Sequence, residues 1–524
     1  MHRSSFVALS INWWRGVLKA FPRHLLKIVK YEMSREDIKM DNQRYGMLFD
    51  TSSNTHYYYD AGTGKVISCT KKEKKFIEQI LDGRIDVEKA KEIDREFRVF
   101  VEEENLFSNH EWVFSVPTKS EFIDLVRGHC QQIVLELTEA CNLRCEYCIY
   151  NEHHPDYRGY SDKQMSFEIA QKSIDLILKN FEGEEFALTF YGGEPLANFP
   201  LLKKCIEYTR SSYPEIKLSY SFTTNLTLLT SDMLEYFKTL EDIDILCSLD
   251  GPKSIHDKYR KDIKGDGSFE MAIKNFKLLQ EEFYDVSKKR NLMINCVMVP
   301  PYTKKKLNEL YHFFYETLQI PKEITCNYSY VDLGNMKIFE NEKDLEDSKL
   351  RISPLEEVAA DDFLREGDDS DFFGLINQEL YRVANRLIAK DGVIESGFLH
   401  GNCIPGQRRI YVTVDGKFRT CEKVGNVPSL GDCFSGYDYE KSYKIYIEDY
   451  IKYYQGKCNN CWARNMCGIC YDNALSDNRD KLYKSGELCN TSKELIKDMF
   501  INYYRVFERD RDGLSKALSK LEFK

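Results

Sequence analysis

Three cysteines, Cys141, Cys145 and Cys148, are separated by three and then two residues and follow an apolar strand-like run, QIVLELT at 132–138. Thiolates are ligands for soft metals, and three on one short loop can hold three irons of a 4Fe-4S cluster while leaving the fourth open to an outside ligand. A structural zinc ion would need a fourth Cys or His, and His153 and His154 stand near enough to supply one. A second group is C-terminal: Cys403, then Cys421, then Cys458, Cys461, Cys467, Cys470 and Cys489. Such density points to iron–sulfur or zinc rather than to disulfides. Cys433 is an additional candidate ligand there. Cys69, Cys130, Cys205, Cys247, Cys296 and Cys326 sit in apolar contexts and read as small buried hydrophobes.

Two polar stretches accompany the first triplet. Tyr191-Gly192-Gly193-Glu194-Pro195 combines glycines, which allow close backbone approach, with a carboxylate suited to an ammonium group. Ser248-Leu249-Asp250-Gly251-Pro252 continues through His256 and Asp257 to Arg260. Each stretch follows a strand-like run, and the pattern behind them is regular. Apolar runs at 132–138, 186–191, 217–223, 243–249, 292–299 and 323–330 alternate with helical stretches near 165–181, 198–211, 231–240, 268–284 and 303–318. Alternation of this kind predicts an α/β fold with a parallel sheet, open or curled toward a partial barrel. Its functional site lies at the carboxyl ends of the strands.

Around this region the chain divides further. Residues 1–42 form a basic extension, with Arg3, Arg15, Lys19, Arg23, Lys27 and Lys30 interleaved with aromatic and aliphatic residues. It reads either as an interfacial or partner-binding helix or as sequence upstream of a start at Met33 or Met40. Residues 43–115 predict strands near 45–50 and 55–70, with a turn at Ala61-Gly62-Thr63-Gly64, then helices over 71–82 and 86–105, a winged-helix-like arrangement. Residues 125–330 hold the β/α units, 331–400 an acidic helical bridge, 401–500 the cysteine-dense region and 501–524 a helical tail.

Composition bounds the function. The 524 residues are 42% hydrophobic and 30% charged, which fits a folded globular chain rather than a disordered one. A net charge of −10 argues against a broadly basic nucleic-acid-binding surface, and no run of uncharged apolar residues is long enough to span a membrane.

The triplet, with Tyr147 before its last cysteine, resembles the signature of the radical S-adenosylmethionine superfamily, and the order of strands and helices is similar to that family's partial (β/α)6 barrel. The resemblance implies S-adenosylmethionine as cofactor, bound to a 4Fe-4S cluster held by Cys141, Cys145 and Cys148. Tyr147, Gly192, Gly193, Glu194, Ser248 and Arg260 are then cofactor-binding candidates: the glycines and Glu194 toward the methionyl amine, Ser248 and Arg260 toward the ribose and carboxylate. Thr223-Thr224-Asn225-Leu226 departs from the family's pattern, which has Gly after Asn.

The C-terminal spacing resembles a SPASM domain with two auxiliary 4Fe-4S clusters, making three clusters in all. Cys458, Cys461, Cys467 and Cys489 would close one; Cys403, Cys421 and Cys470 would hold the other and leave an iron open unless Cys433 fills it. The combination implies a cytoplasmic maturase of a ribosomally made precursor peptide that forms thioether crosslinks. Residues 43–115 would bind the leader, and a flavodoxin or ferredoxin would donate electrons. Carbon–carbon crosslinking, a sulfatase-maturase-like activity and, from a different class, a zinc-binding protein without enzyme activity are the alternatives.

Overall fold

The computed structural model describes residues 42–321, 323–332, 353–367, 373–400, 403–425, 427–475 and 487–522. The basic extension, apart from its last residue, and parts of the 331–400 segment lie outside the described residues. No helix among the described residues is long and apolar enough to cross a membrane.

At residues 46–69 the chain forms a three-stranded antiparallel sheet of β1 (Gly46–Asp50), β2 (His56–Asp60) and β3 (Val66–Cys69), followed by helices α1 (Lys71–Leu81), α2 (Val87–Ile93) and α3 (Arg95–Glu104). Thr70 and Glu73 form a reciprocal capping box at the start of α1. The single helix expected over 86–105 is broken at Asp94. That residue is extended (φ −134°, ψ 116°), and its carboxylate accepts a hydrogen bond from Phe97 N, so it ends one helix and caps the next.

Strand alternation sends neighbouring tyrosines to opposite faces of this sheet. Tyr58 packs with Ile77, Ile80, Phe97 and Val101 beneath the helices. Phe49, Tyr57 and Tyr59 instead meet Trp462, Phe500 and Tyr504, and the last two belong to a long C-terminal helix, Glu487–Arg509. Ring centroids there are 4.6 Å apart for Tyr57 and Tyr504 and 4.8 Å for Tyr59 and Phe500. Glu508 on the same helix accepts hydrogen bonds from Thr51 Oγ1 and Tyr57 Oη, both at 2.9 Å. The N-terminal unit is therefore fastened to the C-terminal part of the chain by a buried aromatic face.

After a two-residue strand, β4 (Val113–Phe114), and helix α4 (Lys119–Gly128), the main sheet begins. Its parallel strands are β5 (Gln132–Thr138), β6 (Glu185–Gly192), β7 (Lys217–Thr224), β8 (Ile243–Ser248), β9 (Arg290–Met298) and β10 (Thr325–Tyr330). Every residue of β5 is buried, as expected of a strand covered on both faces. Helices α5 (Phe167–Leu178), α6 (Phe199–Ser212), α7 (Ser231–Lys238), α8 (Lys253–Tyr259), α9 (Phe269–Leu278) and α10 (Lys304–Tyr311) connect the strands. Helices α9 and α10 continue as wider π turns over Leu279–Phe283 and His312–Thr317.

The sheet does not stop at six strands. A two-residue β11 (Ser396–Gly397) pairs with β4; then β12 (Ile410–Val412) joins β5 in parallel, with Ile410 opposite Ile133. Antiparallel β13 (Lys417–Arg419), β14 (Gly431–Asp432) and β15 (Gly436–Tyr437) extend it to ten strands. The cysteine-dense region thus starts in the same sheet as the β/α units. Three residues of β12 carry too little periodicity to mark it as a barrel strand in the sequence.

Candidate active site

The first cysteine loop leaves the carboxyl end of β5 and is pinned from the opposite side of the strand ends. Arg144 N donates to Lys261 O at 2.7 Å and Glu146 N to Tyr259 O at 2.9 Å, so residues at and just after the end of α8 hold the loop open. Cys148 N donates to Cys145 O at 3.1 Å, and the two thiols are near enough for their charges to interact. Leu143 N and Asn225 Nδ2 donate to Cys141 Sγ, at 3.4 and 3.8 Å. The thiols lie near enough that charges on Cys145 and Cys148 bear on Cys141. Burial pushes the Cys141 thiol up to about 12 and the Cys145 thiol up to about 11. Without metal, both are neutral at pH 7. Soft, clustered, partly buried sulfurs with N–H donors aimed at one of them suit an iron–sulfur cluster, whose positive irons would offset the partial burial of three thiolates. Among the described residues no three His, Cys, Asp or Glu converge on a point suited to a single metal ion.

Gly192 and Gly193 end β6 directly against this loop. Gly193 N donates to Thr138 O at 2.8 Å and Glu194 N to Ala140 O at 2.9 Å, stitching the two strand ends together. Gly192 has φ +146°, and a Cβ at either glycine would collide with the carbonyl of Thr138 or Ala140. In the structure the close approach that requires glycine is to the cysteine loop. Glu194 turns inward and is 1% exposed. Its carboxylate accepts from Thr224 Oγ1 at 2.8 Å, Asn225 N at 2.7 Å and Leu196 N at 3.1 Å. Burial pushes its pKa up to about 7 against these donors. Asn225 therefore joins Glu194 to Cys141, a role that the sequence reading gave little weight.

From β8 comes a second arm. Tyr147 Oη donates to Asp250 Oδ2 at 2.5 Å and accepts from Arg260 Nη1 at 2.7 Å, while Asp250 Oδ1 accepts from Val297 N at 3.0 Å. All three side chains are buried. Arg260 Nε is left buried with no acceptor, which is where an anionic ligand group fits. Ser248 ends β8 opposite Asn295 of β9, on the same rim. Asp250 was within the quoted stretch but not singled out. Its place at a strand end was the available signal.

The C-terminal cysteines form no disulfide among the described residues. Cys458 is surrounded by Cys461, Cys467 and Cys489, near enough that their charges raise its pKa. Cys421 lies near Cys470, and charges on both Cys421 and Cys403 bear on Arg409. Cys433 turns elsewhere: its thiol meets Ser173 of α5, and it packs on Gly416. Between the first loop and Cys421 runs a partly buried series of polar groups. Glu136 pairs with Arg158, whose guanidinium lies 3.6 Å over the Tyr150 ring. Tyr191 senses charge on both Cys148 and Glu422, and Glu422 forms a two-bond ion pair with Arg409 at 2.8 and 2.9 Å.

Comparison with known proteins bears on the β/α region above all. Residues 135–314 match the model of the Radical SAM superfamily. A serine-type anaerobic sulfatase-maturating enzyme from Bacteroides thetaiotaomicron is 30% identical over 36% of this chain and 42% of its own length. An uncharacterized protein from Methanocaldococcus jannaschii, MJ0907, is 35% identical over 23% of this chain and 39% of its own. The chain thus spans about two-fifths of the length of these curated relatives. A longer match, 23% identical, covers 72% of this chain and 76% of the radical SAM cyclopropyl synthase TigE of Paramaledivibacter caminithermalis. The fold is similar to the structure titled "Native anSMEcpe with bound AdoMet", with TM-score 0.52 and 20% identity over 74% of this chain and 99% of that one.

Proposed function

Residues 135–314 form a radical S-adenosylmethionine domain, and from that premise we propose that this chain is a maturase of a ribosomally made precursor peptide, joining Cys sulfur to unactivated carbon. The observations that support this reading are that Cys461, Cys467 and Cys489 lie close to Cys458, that Cys470 lies near Cys421, and that the Cys433 thiol turns to Ser173, which favours Cys403, Cys421 and Cys470 as a second set without a fourth protein thiol. Three protein thiolates on a cubane cluster leave one position for a substrate thiol; four leave none.

Bound here, S-adenosylmethionine and a 4Fe-4S cluster would supply one-electron chemistry and hydrogen-atom abstraction from the peptide, and the auxiliary cluster would take the electron released as the thiolate joins carbon. The protein's own residues do the holding. Cys141, Cys145 and Cys148 carry the cluster. Glu194 would pair with the cofactor's ammonium group, Arg260 Nε would take its carboxylate, and Ser248 would hold the ribose. The buried Tyr147–Asp250–Arg260 network fixes Arg260 in place. Reducing equivalents would come from a flavodoxin or ferredoxin, in the cytoplasm, where such clusters survive.

Ionisation of Glu194 gives this assignment a pH signature. Its pKa of about 7 in the free protein is raised, so the acid form dominates below that value and cannot pair with an ammonium group. Affinity for S-adenosylmethionine is expected to fall about tenfold for each pH unit below about 7 and to level off above it. Anaerobic calorimetry between about pH 5.5 and 8.5 measures this. Glu194→Gln should bind weakly at every pH with a flat profile.

The edge of β3 would take the leader as an added strand. Asp60 N donates to Lys65 O, and the antiparallel alternation from that pair turns the Ser68 backbone groups outward. Ser68→Pro removes an outward N–H without breaking a ladder bond. Binding of the precursor should weaken at least about tenfold, as loss of a strand-pairing anchor of about 1.4 kcal/mol implies, while cofactor cleavage without peptide is unchanged. Fluorescence anisotropy and 5′-deoxyadenosine assays read the two effects. This point change is preferable to deleting residues 43–115, which would strip the aromatic face from Phe500 and Tyr504.

A sulfatase-maturase-like reading is favoured by the Bacteroides relative, whose name states that activity. Incubation with reductant, S-adenosylmethionine and either a Cys-containing precursor or a sulfatase peptide separates the two. Loss of two hydrogens with a sulfur–carbon bond supports the thioether reading, and formylglycine supports the other.

A further inference from the structure

His400 lies in none of the motifs above, yet it touches a proposed cluster ligand. It is 4% exposed and has φ +48°, in the left-handed region that His adopts more readily than most residues. From that turn its Nε2 reaches Cys458 Sγ at 3.0 Å, and its Nδ1 lies 2.6 Å from Tyr450 Oη. Tyr450, Tyr454 and Cys458 share one face of helix α11 (Tyr450–Asn459), so one helix supplies the sulfur and the groups that aim the imidazole at it. The ring is boxed by Phe114 and Tyr454, both edge-to-face, with centroids at 5.1 and 5.6 Å.

Hydrogen-bond accounting fixes the tautomer. A metal-bound Cys458 is a thiolate with no proton to give, so Nε2 must carry the hydrogen between them. Nδ1 of the neutral ring is then an acceptor, and the Tyr450 hydroxyl is the donor that satisfies it. We propose that His400, held by Tyr450, is a positioning residue that donates a hydrogen bond from Nε2 to the Cys458 thiolate and sets the reduction potential of the auxiliary cluster held by Cys458, Cys461, Cys467 and Cys489. A donor on a ligand sulfur stabilises the more negative, reduced form of the cluster and so raises its potential. The inference rests on the proposed ligand set.

Its test uses the full chain with reconstituted clusters and reads electron paramagnetic resonance during an anaerobic redox titration. His400→Leu removes the donor. At a fixed applied potential the ratio of reduced to oxidised cluster should fall about tenfold, equal to a downward shift of about 59 mV for one electron. His400→Gln, which keeps an N–H at the ε position, should restore most of the shift, and Tyr450→Phe should give a smaller shift in the same direction. In the native protein, pulsed spectra should show an exchangeable proton coupled to this cluster that is lost in His400→Leu. Cys458→Ala is the control on the ligand set: it should remove about four irons and this signal. Loss of the signal in Cys458→Ala with a native potential and native proton coupling in His400→Leu would overturn the role of His400 alone. Full iron and an unchanged signal in Cys458→Ala would overturn the ligand set and the inference with it. If His400→Leu fails to assemble the cluster, Tyr450→Phe and His400→Gln decide the matter: native potentials in both, with no coupled proton in the native protein, would refute it.

Discussion

Replacing Cys141, Cys145 and Cys148 together by Ala is expected to bring 5′-deoxyadenosine formation down to the level seen without enzyme, while most of the iron stays bound. The loop holds its shape through backbone bonds from Arg144 and Glu146 to Lys261 and Tyr259, none of which uses a thiol. The variant should therefore fold, because the contacts that close the loop survive. Three truncated side chains in a partly buried cluster cost on the order of 3–6 kcal/mol of stability together, about one to two for each small group lost. What disappears is the soft donor set, and among the described residues no other cysteine lies in the small apolar cluster around Leu143, Tyr147 and Val299 to replace it. Iron content and absorbance give the remaining clusters, and chromatography of the quenched reaction gives 5′-deoxyadenosine. Retained cleavage would move the radical chemistry away from this loop.

The second large effect concerns the substrate. A precursor whose donor Cys is changed to Ser should still support formation of 5′-deoxyadenosine but give no sulfur–carbon crosslink, a loss of product to the detection limit. A hydroxyl is a harder and far less acidic ligand than a thiol, so it neither competes for a soft open iron nor reaches the anionic form near pH 7. On the protein side, Cys403, Cys421 and Cys470 should each be needed for the crosslink. Cys433→Ser should leave it intact, since that thiol turns to Ser173 and packs on Gly416. Mass spectrometry of the peptide after anaerobic turnover reads all of these.

Much of the site was readable because its chemistry is local in sequence. Cys141, Cys145 and Cys148 lie within one loop, and the alternation of apolar runs with helical stretches placed that loop at a strand end. Gly192, Gly193 and Glu194 were legible for the same reason, although the glycines serve contact with the Thr138–Cys141 backbone rather than only room for a ligand. What escaped is what folding brings together from afar. Asn225 acquires its position from β7, 84 residues from Cys141, and His400 reaches Cys458 across 58 residues. A polar residue at the end of a strand or in a turn has no periodic signal to distinguish it from an ordinary loop residue. Strand β12 was missed because three apolar residues fit a strand or a buried turn equally well. The break at Asp94 had a visible sign, an Asp placed three residues before Phe97 as an N-cap, which the helical periodicity on either side concealed.

The central claim is that the set of Cys403, Cys421 and Cys470 offers its open position to a thiol of the peptide. The most direct measurement is electron paramagnetic resonance of the reduced auxiliary clusters in the anaerobic full-length protein, recorded alone, with a Cys-containing precursor, and with the same precursor carrying Ser at the donor position. The expected result is a changed signal with the Cys peptide only, absent when Cys421 is replaced by Ala. A signal indifferent to the Cys peptide at concentrations that saturate binding would contradict the account and raise carbon–carbon crosslinking above thioether formation.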